Sequence, residues 1–259
     1  MTTKIALASA NVLITGGGEG IGHALASRFL ARGARVLVTG RSPDRLARAA
    51  IRTPGLETFV NDIGVPEERE RLAEHVRQAM PGLNVLVNNA GGQRRISLAA
   101  DAAPWGERQV EIDTLLSGPV HLSHLLIPVM MAHGEPSLIA NVTSGGAYVP
   151  QPFAPIYSAC KAALHSYTVN LRFALAGTAC EVVEIIPPAV STALAGAGAT
   201  HGAPLDTFAD TVFAKLTETD EAEIGFGPTD SEAFKTPTRL SETLFEQFST
   251  RFPVQTYAD

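Results

Sequence analysis

Short apolar runs alternate with longer amphipathic segments along this chain. The runs lack a polar residue at every second position, which is typical of strands covered on both faces. Candidate strands lie at residues 11–15, 35–39, 57–60, 84–88, 137–142 and 181–186, with a weak one at 223–226. Helical patterns between them include residues 20–31, 67–80 and 105–131. Pro119 and Pro128 interrupt the last of these, so we expect that helix to bend or break.

Strands and helices in alternation predict an α/β protein with right-handed crossovers. We expect a single doubly wound Rossmann-type domain over residues 1–259, with a mostly parallel sheet of about seven strands and helices on both faces. Residues 189–217, which begin with a stretch rich in Ala, Gly and Thr, are interpreted as a substrate loop or lid region. Residues 229–259 are interpreted as a C-terminal extension. It contains one amphipathic helix, near 240–248, whose Phe245 and Phe248 would dock it on the body or on a neighbouring subunit.

Composition narrows the choice of partners. The chain has 20 Lys and Arg against 26 Asp and Glu, a net charge of −6, and no basic block. Nucleic acid and anionic membranes are therefore not expected partners. No stretch approaches the ~20 consecutive apolar residues that span a bilayer. The two cysteines, Cys160 and Cys180, make neither a disulfide framework nor a thiolate metal site, so we expect a cytoplasmic protein without a metal.

A glycine-rich loop, TGGGEGIG at residues 15–22, separates the first strand from the first helix. Glycines at this place allow a tight turn and a close approach of the backbone to a pyrophosphate. The helix then presents unpaired N–H groups and the positive end of its dipole. A tight turn without a ligand is the alternative. The context on both sides favours a dinucleotide site, with contacts from Gly16, Gly18, Glu19, Gly20, Ile21 and Gly22.

The end of the second strand indicates which dinucleotide is preferred. A site selective for NAD often has an acid here, which binds the adenosine ribose 2′-hydroxyl. This chain has Gly40, followed by Arg41 and Ser42. A guanidinium would hold a 2′-phosphate in two charge-assisted hydrogen bonds, and the serine would add a third. The pattern favours NADP (NADPH) over NAD, the alternative for Arg41 being an ordinary surface arginine.

Three polar side chains form a candidate catalytic set. Tyr157 and Lys161 are four residues apart on a predicted helix and share one face, and Ser144 ends a strand. A free tyrosine has a pKa of about 10, too high for acid–base work at neutral pH. A nearby ammonium is expected to lower the pKa of Tyr157. The Ser144 hydroxyl would hold a substrate carbonyl oxygen beside it.

Together, the glycine loop, the NNAG segment at residues 88–91, Ser144 and the Tyr157–Lys161 pair resemble the short-chain dehydrogenase/reductase family. The resemblance extends over about residues 11–192, and the PPAVST segment at 187–192 is similar to a subgroup of oxidoreductases labelled DltE-like.

The resemblance implies further roles by position. Asp62 and Ile63 would contact the adenine ring. Residues 88–91 would pack the sheet and line the adenosine ribose, which adds Asn89, Ala90 and Gly91 to the cofactor-binding set. Lys161 would bind the nicotinamide ribose. Pro187, Val190 and Thr192 would form the floor of the nicotinamide site and hold the carboxamide.

Two departures from the family pattern stand out. The family usually has Pro-Gly where this chain has Pro187-Pro188, and the second proline removes a backbone N–H. Leu115 occupies the place of an asparagine that helps the family hold a water linked to the lysine. A leucine side chain cannot hydrogen-bond a water.

The expected function is NADPH-dependent reduction of a ketone or other carbonyl compound to a secondary alcohol, or the reverse, by a homodimer or homotetramer. Arg94 and Arg95 lie either at the mouth of the site, where they would attract an acidic substrate, or in a solvated loop. One alternative is a cofactor-binding regulatory protein whose redox chemistry is impaired, as Leu115 suggests. Another is a non-redox lyase or isomerase that uses Tyr157 as its acid–base group. Net consumption of cofactor separates these classes.

Overall fold

The seven apolar runs pair side by side in one parallel sheet of order β3-β2-β1-β4-β5-β6-β7. The computed structural model describes residues 5–192, 194, 202–249, 251 and 254–258. The strands are β1 (Asn11–Thr15), β2 (Arg35–Gly40), β3 (Glu57–Val60), β4 (Val85–Asn88), β5 (Ser137–Val142), β6 (Cys180–Ile186) and β7 (Glu223–Gly225). Each predicted strand is present, with ends shifted by one residue at most, so the predicted fold class is confirmed.

The main helices lie on both faces of the sheet, because each strand's side chains alternate between two apolar clusters. The helices are α1 (Gly20–Ala31), α2 (Pro43–Arg52), α3 (Pro66–Ala79), α4 (Trp105–Ile112), α5 (Gly118–Ala132), α6 (Pro155–Ala174), α7 (Leu205–Glu218) and α8 (Glu232–Ser249). Helices α1, α2 and α7 contribute buried side chains such as Phe29 and Phe208 to one cluster. Helices α3, α5 and α6 contribute Leu72, Leu126 and Leu171 to the other.

The strand order places the candidate site at one edge of the sheet. The chain leaves β1 in one direction to build β2 and β3, then returns to add β4 beside β1. The carboxyl ends of β1 and β4 therefore flank the point where the strand order reverses, which is where open α/β sheets bind ligands. The glycine-rich loop follows β1, and Asn89 follows β4.

The prolines of the segment 105–131 predict a bend or break, and the structure differs at the two positions. Asp113–Ser117 forms a π-helical turn between α4 and α5, and Pro119 lies directly after it in the first turn of α5. Pro128 lies inside α5 and does not end it.

By length and composition alone, Trp105–Ala132 is apolar enough to cross a membrane, contrary to the expectation from the sequence. Its residues Leu122, Leu126 and Met130 are buried in the core cluster against the sheet. A core helix of a soluble protein passes the same test, so this feature is weak evidence for a membrane span.

Part of the segment interpreted as a lid belongs to the core. Helix α7 covers residues 205–218, and its Phe208, Ala209 and Val212 are fully buried. A loop is therefore the wrong description for that part. Residues 193 and 195–201 of the same segment lie outside the described residues, and the lid role itself stays a prediction.

The C-terminal helix α8 is longer than predicted and begins at Glu232. Of the two phenylalanines predicted to dock it, one lies against the body. Phe245 meets Phe173 of α6 edge to face, with ring centroids 5.7 Å apart. Phe248 is 50% exposed and lies against the guanidinium of Arg251.

We predict that Phe208→Ala lowers the free energy of unfolding by about 3–5 kcal/mol, because it removes a fully buried ring of α7 that packs edge to face on Phe226. Urea unfolding followed by circular dichroism measures this. Ile51→Ala, at an apolar side chain 79% exposed, is the control and should change stability by less than about 0.5 kcal/mol. Equal small losses for both variants would show that α7 is not part of the cooperative core.

Candidate active site

The ends of β1 and β4 are joined by hydrogen bonds around one hydroxyl. Thr15 Oγ1 accepts from the backbone N–H groups of Asn89 and Ala90, both at 3.0 Å. The Asn89 side chain returns the contact, since its Nδ2 donates to Thr15 O at 2.9 Å and to Gly16 O at 3.2 Å. These bonds fix the start of the glycine-rich loop against the chain that follows β4.

The close approach of the loop to the chain after β4 requires glycine at two positions, whether or not a ligand binds. Gly16 has a φ of 68°, and a Cβ there would lie 2.7 Å from the Cα of Ala90. A Cβ on Gly22 would lie 2.5 Å from Nδ2 of Asn89. Gly20 differs, because its φ is 58° but a Cβ would meet only Thr192, at 3.6 Å or more. At Gly20, where α1 begins, the loop therefore faces Thr192 and leaves room for a side-chain atom.

A cavity of about 560 Å³ opens at this edge of the sheet. It brings together many of the predicted residues: Glu19, Gly20, Ile21, Asn89, Gly91, Ser144, Tyr157, Lys161, Pro187, Val190 and Thr192. The volume is typical of small-molecule and cofactor sites, and the free N–H groups at the start of α1 suit a diphosphate. The residues present thus fit a dinucleotide.

The other predicted cofactor residues do not line this cavity: Gly16, Gly18, Gly22, Arg41, Ser42, Asp62, Ile63 and Ala90. Ser42 caps α2, because its Oγ accepts from the Arg45 N–H at 3.3 Å. Arg41 is exposed at the end of β2. Asp62 Oδ1 accepts from the Gly64 N–H at 2.9 Å. The Ile63 side chain is buried in the core, which leaves its backbone for any contact with a ligand.

The candidate catalytic side chains come from β5 and α6. Tyr157 and Lys161 are one turn apart on α6, and the Lys161 Nζ lies 5.8 Å from the centroid of the Tyr157 ring. The Lys161 Nζ donates to the carbonyl of Val142 at 2.6 Å. Ser144 follows β5, and its Oγ accepts from the Gly146 N–H at 3.0 Å. All three residues line the cavity, as the spacing predicts.

The predicted direction of the Tyr157 pKa is wrong for the protein without ligands. Burial raises the pKa of Tyr157, and the hydrogen bond with Ser144 opposes this only in part. Lys161 does not offset this rise: burial lowers the pKa of its amine to about 8, which leaves it mostly charged at neutral pH, but the amine is directed at the carbonyl of Val142. Tyr157 is therefore a protonated phenol, which suits a proton donor.

Leu115 lies in the π-helical turn and is 1% exposed. It packs in one apolar cluster with Tyr157, Ala154 and Cys160. Burial raises the pKa of the Cys160 thiol to about 11, so this cysteine is a packed thiol and not a nucleophile. The place where the resemblance implies an asparagine is therefore filled by an apolar side chain packed with the tyrosine.

Comparison with known proteins agrees with this arrangement. The family model described as short chain dehydrogenase matches residues 10–201. The chain belongs to the short-chain dehydrogenase family, and it is an oxidoreductase.

Several relatives and structures illustrate the family. The chain is 43% identical over 183 residues to "Uncharacterized oxidoreductase DltE" of Bacillus subtilis (strain 168), covering 71% of this chain and 72% of that protein. It is 32% identical over 190 residues to "Sulfoacetaldehyde reductase 2" of Chromohalobacter salexigens, covering 70% and 73%.

Two solved structures share the fold. A short chain dehydrogenase from Burkholderia cenocepacia J2315 in complex with NADP has a TM-score of 0.79 at 24% identity, covering 96% of this chain and 100% of that chain. A short chain dehydrogenase/reductase from Burkholderia phymatum in complex with NAD has a TM-score of 0.80 at 20% identity, covering 97% and 99%.

This short-chain dehydrogenase contains a buried polar cluster that sequence reasoning missed. Glu184 of β6 is fully buried and accepts from Thr143 Oγ1 at 2.6 Å and from the Tyr148 hydroxyl at 3.0 Å. Its other oxygen lies 2.8 Å from Nδ1 of His165 on α6. The signal was a glutamate inside the apolar run VVEII, where a lone charge needs buried partners.

Glu223 of β7 extends this cluster. It pairs in register with Glu184, and its Oε1 is buried without a partner among the described residues. Burial, reinforced by the charge of Glu184, raises the pKa of Glu223 to about 7. The ligand atoms of His165, Glu184 and Glu223 lie within 4.8 Å of one another. The His165 nitrogen is already bonded to Glu184 and Tyr148, so we assign the cluster a structural role.

We predict that Glu223→Gln stabilises the protein relative to wild type at pH 8 but not at pH 4. The Glu223 pKa is 4.5 as a free group and about 7 in the fold, so its contribution is fully present below pH 4.5 and is lost as the pH rises through 7. We expect a difference of about 1–2 kcal/mol, reduced from the full value because the carboxyl is partly exposed to solvent. Urea unfolding at several pH values measures it.

Glu246→Gln, at an exposed position of α8, is the charge-matched control. A pH-dependent difference of the same size in both variants would argue against a special environment at Glu223.

Proposed function

We propose that this oxidoreductase interconverts a carbonyl group and a secondary alcohol with NADPH, using Ser144, Tyr157 and Lys161. One observation carries the proposal. The three side chains line the same cavity as the amino end of α1 and Thr192, so a single extended dinucleotide would reach both the glycine-rich loop and the tyrosine.

The protonation states favour the reductive direction. NADPH supplies the hydride that the carbonyl carbon accepts. Ser144 orients the carbonyl oxygen, and Tyr157 delivers the proton that this oxygen needs. Because burial raises the pKa of Tyr157, its proton is present at neutral pH and is given up when negative charge develops on the oxygen. The tyrosine must then be protonated again from solvent.

Lys161 is the third residue of the proposed catalytic set. Its amine is buried beside Thr143 and Val142 at the end of β5, where it would hold the nicotinamide ribose as the family resemblance implies. Because the pKa of this amine is about 8, it is mostly protonated at neutral pH. That ammonium would then stabilise the tyrosinate left after proton transfer.

The relatives support the cofactor class and the reaction class. Two structures of the same fold hold NADP and NAD. Arg41, exposed at the end of β2 where an acid would select NAD, favours the phosphorylated cofactor. One relative is named a sulfoacetaldehyde reductase, which reduces a carbonyl group. We propose a small carbonyl or alcohol compound as the substrate.

The second candidate is a cofactor-binding regulatory protein that turns over slowly. The specific observation in its favour is the apolar packing of Leu115 against Tyr157, which offers no side-chain hydrogen bond to a relay water. Tyrosine-dependent consumption of NADPH with a carbonyl substrate decides between the two functions. It also separates both from a lyase or isomerase, which consumes no cofactor.

We predict that Tyr157→Phe lowers turnover by at least about 100-fold, because it removes the proton donor. The Kd of NADPH should change less than about twofold, since the ring is retained. Absorbance at the NADPH band across a panel of ketones, diketones and aldehydes measures turnover, and fluorescence titration measures binding. Tyr167→Phe removes a hydroxyl from a half-buried tyrosine of the same helix and is the control. Undiminished turnover in Tyr157→Phe would exclude the mechanism.

We predict that Arg41→Ala raises the Kd of NADPH about tenfold or more and that of NADH less than about twofold, because only NADPH carries the 2′-phosphate. Fluorescence titration with both cofactors measures this. Arg48→Ala makes the same charge change at an exposed position of α2 and should affect neither Kd. Equal losses for the two cofactors in Arg41→Ala would refute the phosphate contact.

A further inference from the structure

Two neighbouring arginines in the loop after β4 have very different partners. Arg94 holds Asp101 in a bidentate pair, with Nη1–Oδ2 and Nη2–Oδ1 distances of 3.0 and 2.9 Å. Its Nη2 also lies 3.3 Å from Glu107 Oε2. Asp101 is itself almost fully buried and is shared with Arg108 at 3.1 Å. Arg94 is therefore committed to the structure of this loop.

Arg95 has no acidic partner among the residues that the structure describes. Its Nε donates to Oε1 of Gln93 at 2.9 Å, and its guanidinium carbon lies 5.6 Å from the centroid of the Phe153 ring. Arg95, Gln93 and Phe153 all line the cavity that contains Tyr157. The two terminal nitrogens of Arg95 make no hydrogen bond within the described part of the chain and remain available as donors.

The neighbours of Arg95 hold it at the cavity and add to its donor character. Gln93 Nε2 donates to Gln151 Oε1 at 3.1 Å. The Gln151 backbone N–H donates to Oγ of Ser158, the residue after Tyr157, at 3.0 Å. The side-chain oxygens of Gln93 and Gln151 thus each accept a hydrogen bond within this network. The Nη atoms of Arg95 and the Nε2 of Gln151 have no hydrogen-bond partner among the described residues, and all of them are donors.

The charge balance around the cavity favours an anionic ligand at this place. Among the described residues that line the cavity, Glu19 is the one acid, and its carboxylate is paired with Arg45. An unpaired guanidinium beside an exposed aromatic ring offers planar donors and a partly apolar surface, which match a carboxylate or sulfonate on a short carbon stem.

We propose that Arg95 binds an anionic group on the substrate, so that the enzyme acts on carbonyl compounds that carry a carboxylate or sulfonate. The proposal rests on the proposed carbonyl reduction, and it makes Arg95 a specificity-determining residue. Tyr157 and Ser144 act on the carbonyl, while Arg95 recognises the charge at the other end of the molecule.

The test uses two ketone probes that differ in charge: 4-oxopentanoate and its neutral methyl ester. In Arg95→Gln we expect KM for 4-oxopentanoate to rise about tenfold or more, with KM for the ester changed less than about twofold. Arg95→Lys keeps the charge and should recover part of the loss. Arg94→Gln makes the same charge change one residue away and is expected to lower thermal stability without separating the two probes.

A binding measurement makes the test independent of turnover. The NADPH complexes of wild type and Arg95→Gln are titrated with propionate and ethanesulfonate by calorimetry. Weaker binding to the variant by about tenfold supports the proposal. No binding to wild type at millimolar concentration, equal binding to both proteins, or equal KM increases for both probes would overturn it. An equal rise in the Kd of NADPH would assign Arg95 to the cofactor and would also overturn it.

The two proposals can fail separately. Absence of NADPH consumption that depends on Tyr157, with anion binding that depends on Arg95, would refute the reaction and keep the anion site. Tyrosine-dependent consumption with no preference for charge would keep the reaction and refute the site.

Discussion

The Thr15 hydroxyl accepts two backbone N–H groups from the chain after β4, and the rest of the site depends on this contact. It draws the neighbouring parallel strands β1 and β4 together at the point where the strand order of the sheet reverses. The approach is so close that Gly16 and Gly22 have no room for a Cβ. With these ends fixed, the amino end of α1 faces the cavity, and the loop that carries Gln93, Arg94 and Arg95 begins beside it.

Burial controls the chemistry at the other side of the cavity. Tyr157 and Lys161 are each less than a tenth exposed, so neither charge is stabilised by water. The pKa of Tyr157 rises and that of Lys161 falls to about 8, so both shifts favour the uncharged form. In the proposed reaction the neutral phenol gives its proton to an oxygen that gains charge, and the lysine, still mostly protonated at neutral pH, stabilises the tyrosinate that remains.

Arg95 differs from its sequence neighbour Arg94 in the partners of its guanidinium. Arg94 is bound to Asp101, and Glu184 is enclosed by Thr143, Tyr148 and His165. Arg95 shares the loop with Arg94 and lacks such a partner among the described acids. An exposed cation that lines a cavity beside the candidate catalytic tyrosine is a recognition element, whereas the same residue on an open loop would be ordinary surface.

The sequence by itself determined the individual strands, the glycine-rich loop and the face shared by Tyr157 and Lys161, because each depends on neighbours within a few residues. Apolar runs and an i, i+4 spacing are local patterns, and they survive folding unchanged. Tertiary structure decided the rest. It buried Tyr157 and thereby reversed the predicted direction of its pKa, placed Leu115 in an apolar wall through a π-helical turn, and enclosed Glu184 between strands. It also gave Arg94 and Arg95 different partners: Arg94 contacts Asp101 and Glu107, whereas Arg95 contacts Gln93 and Phe153. Burial, pairing and desolvation depend on which distant residues meet, and no local pattern contains that information.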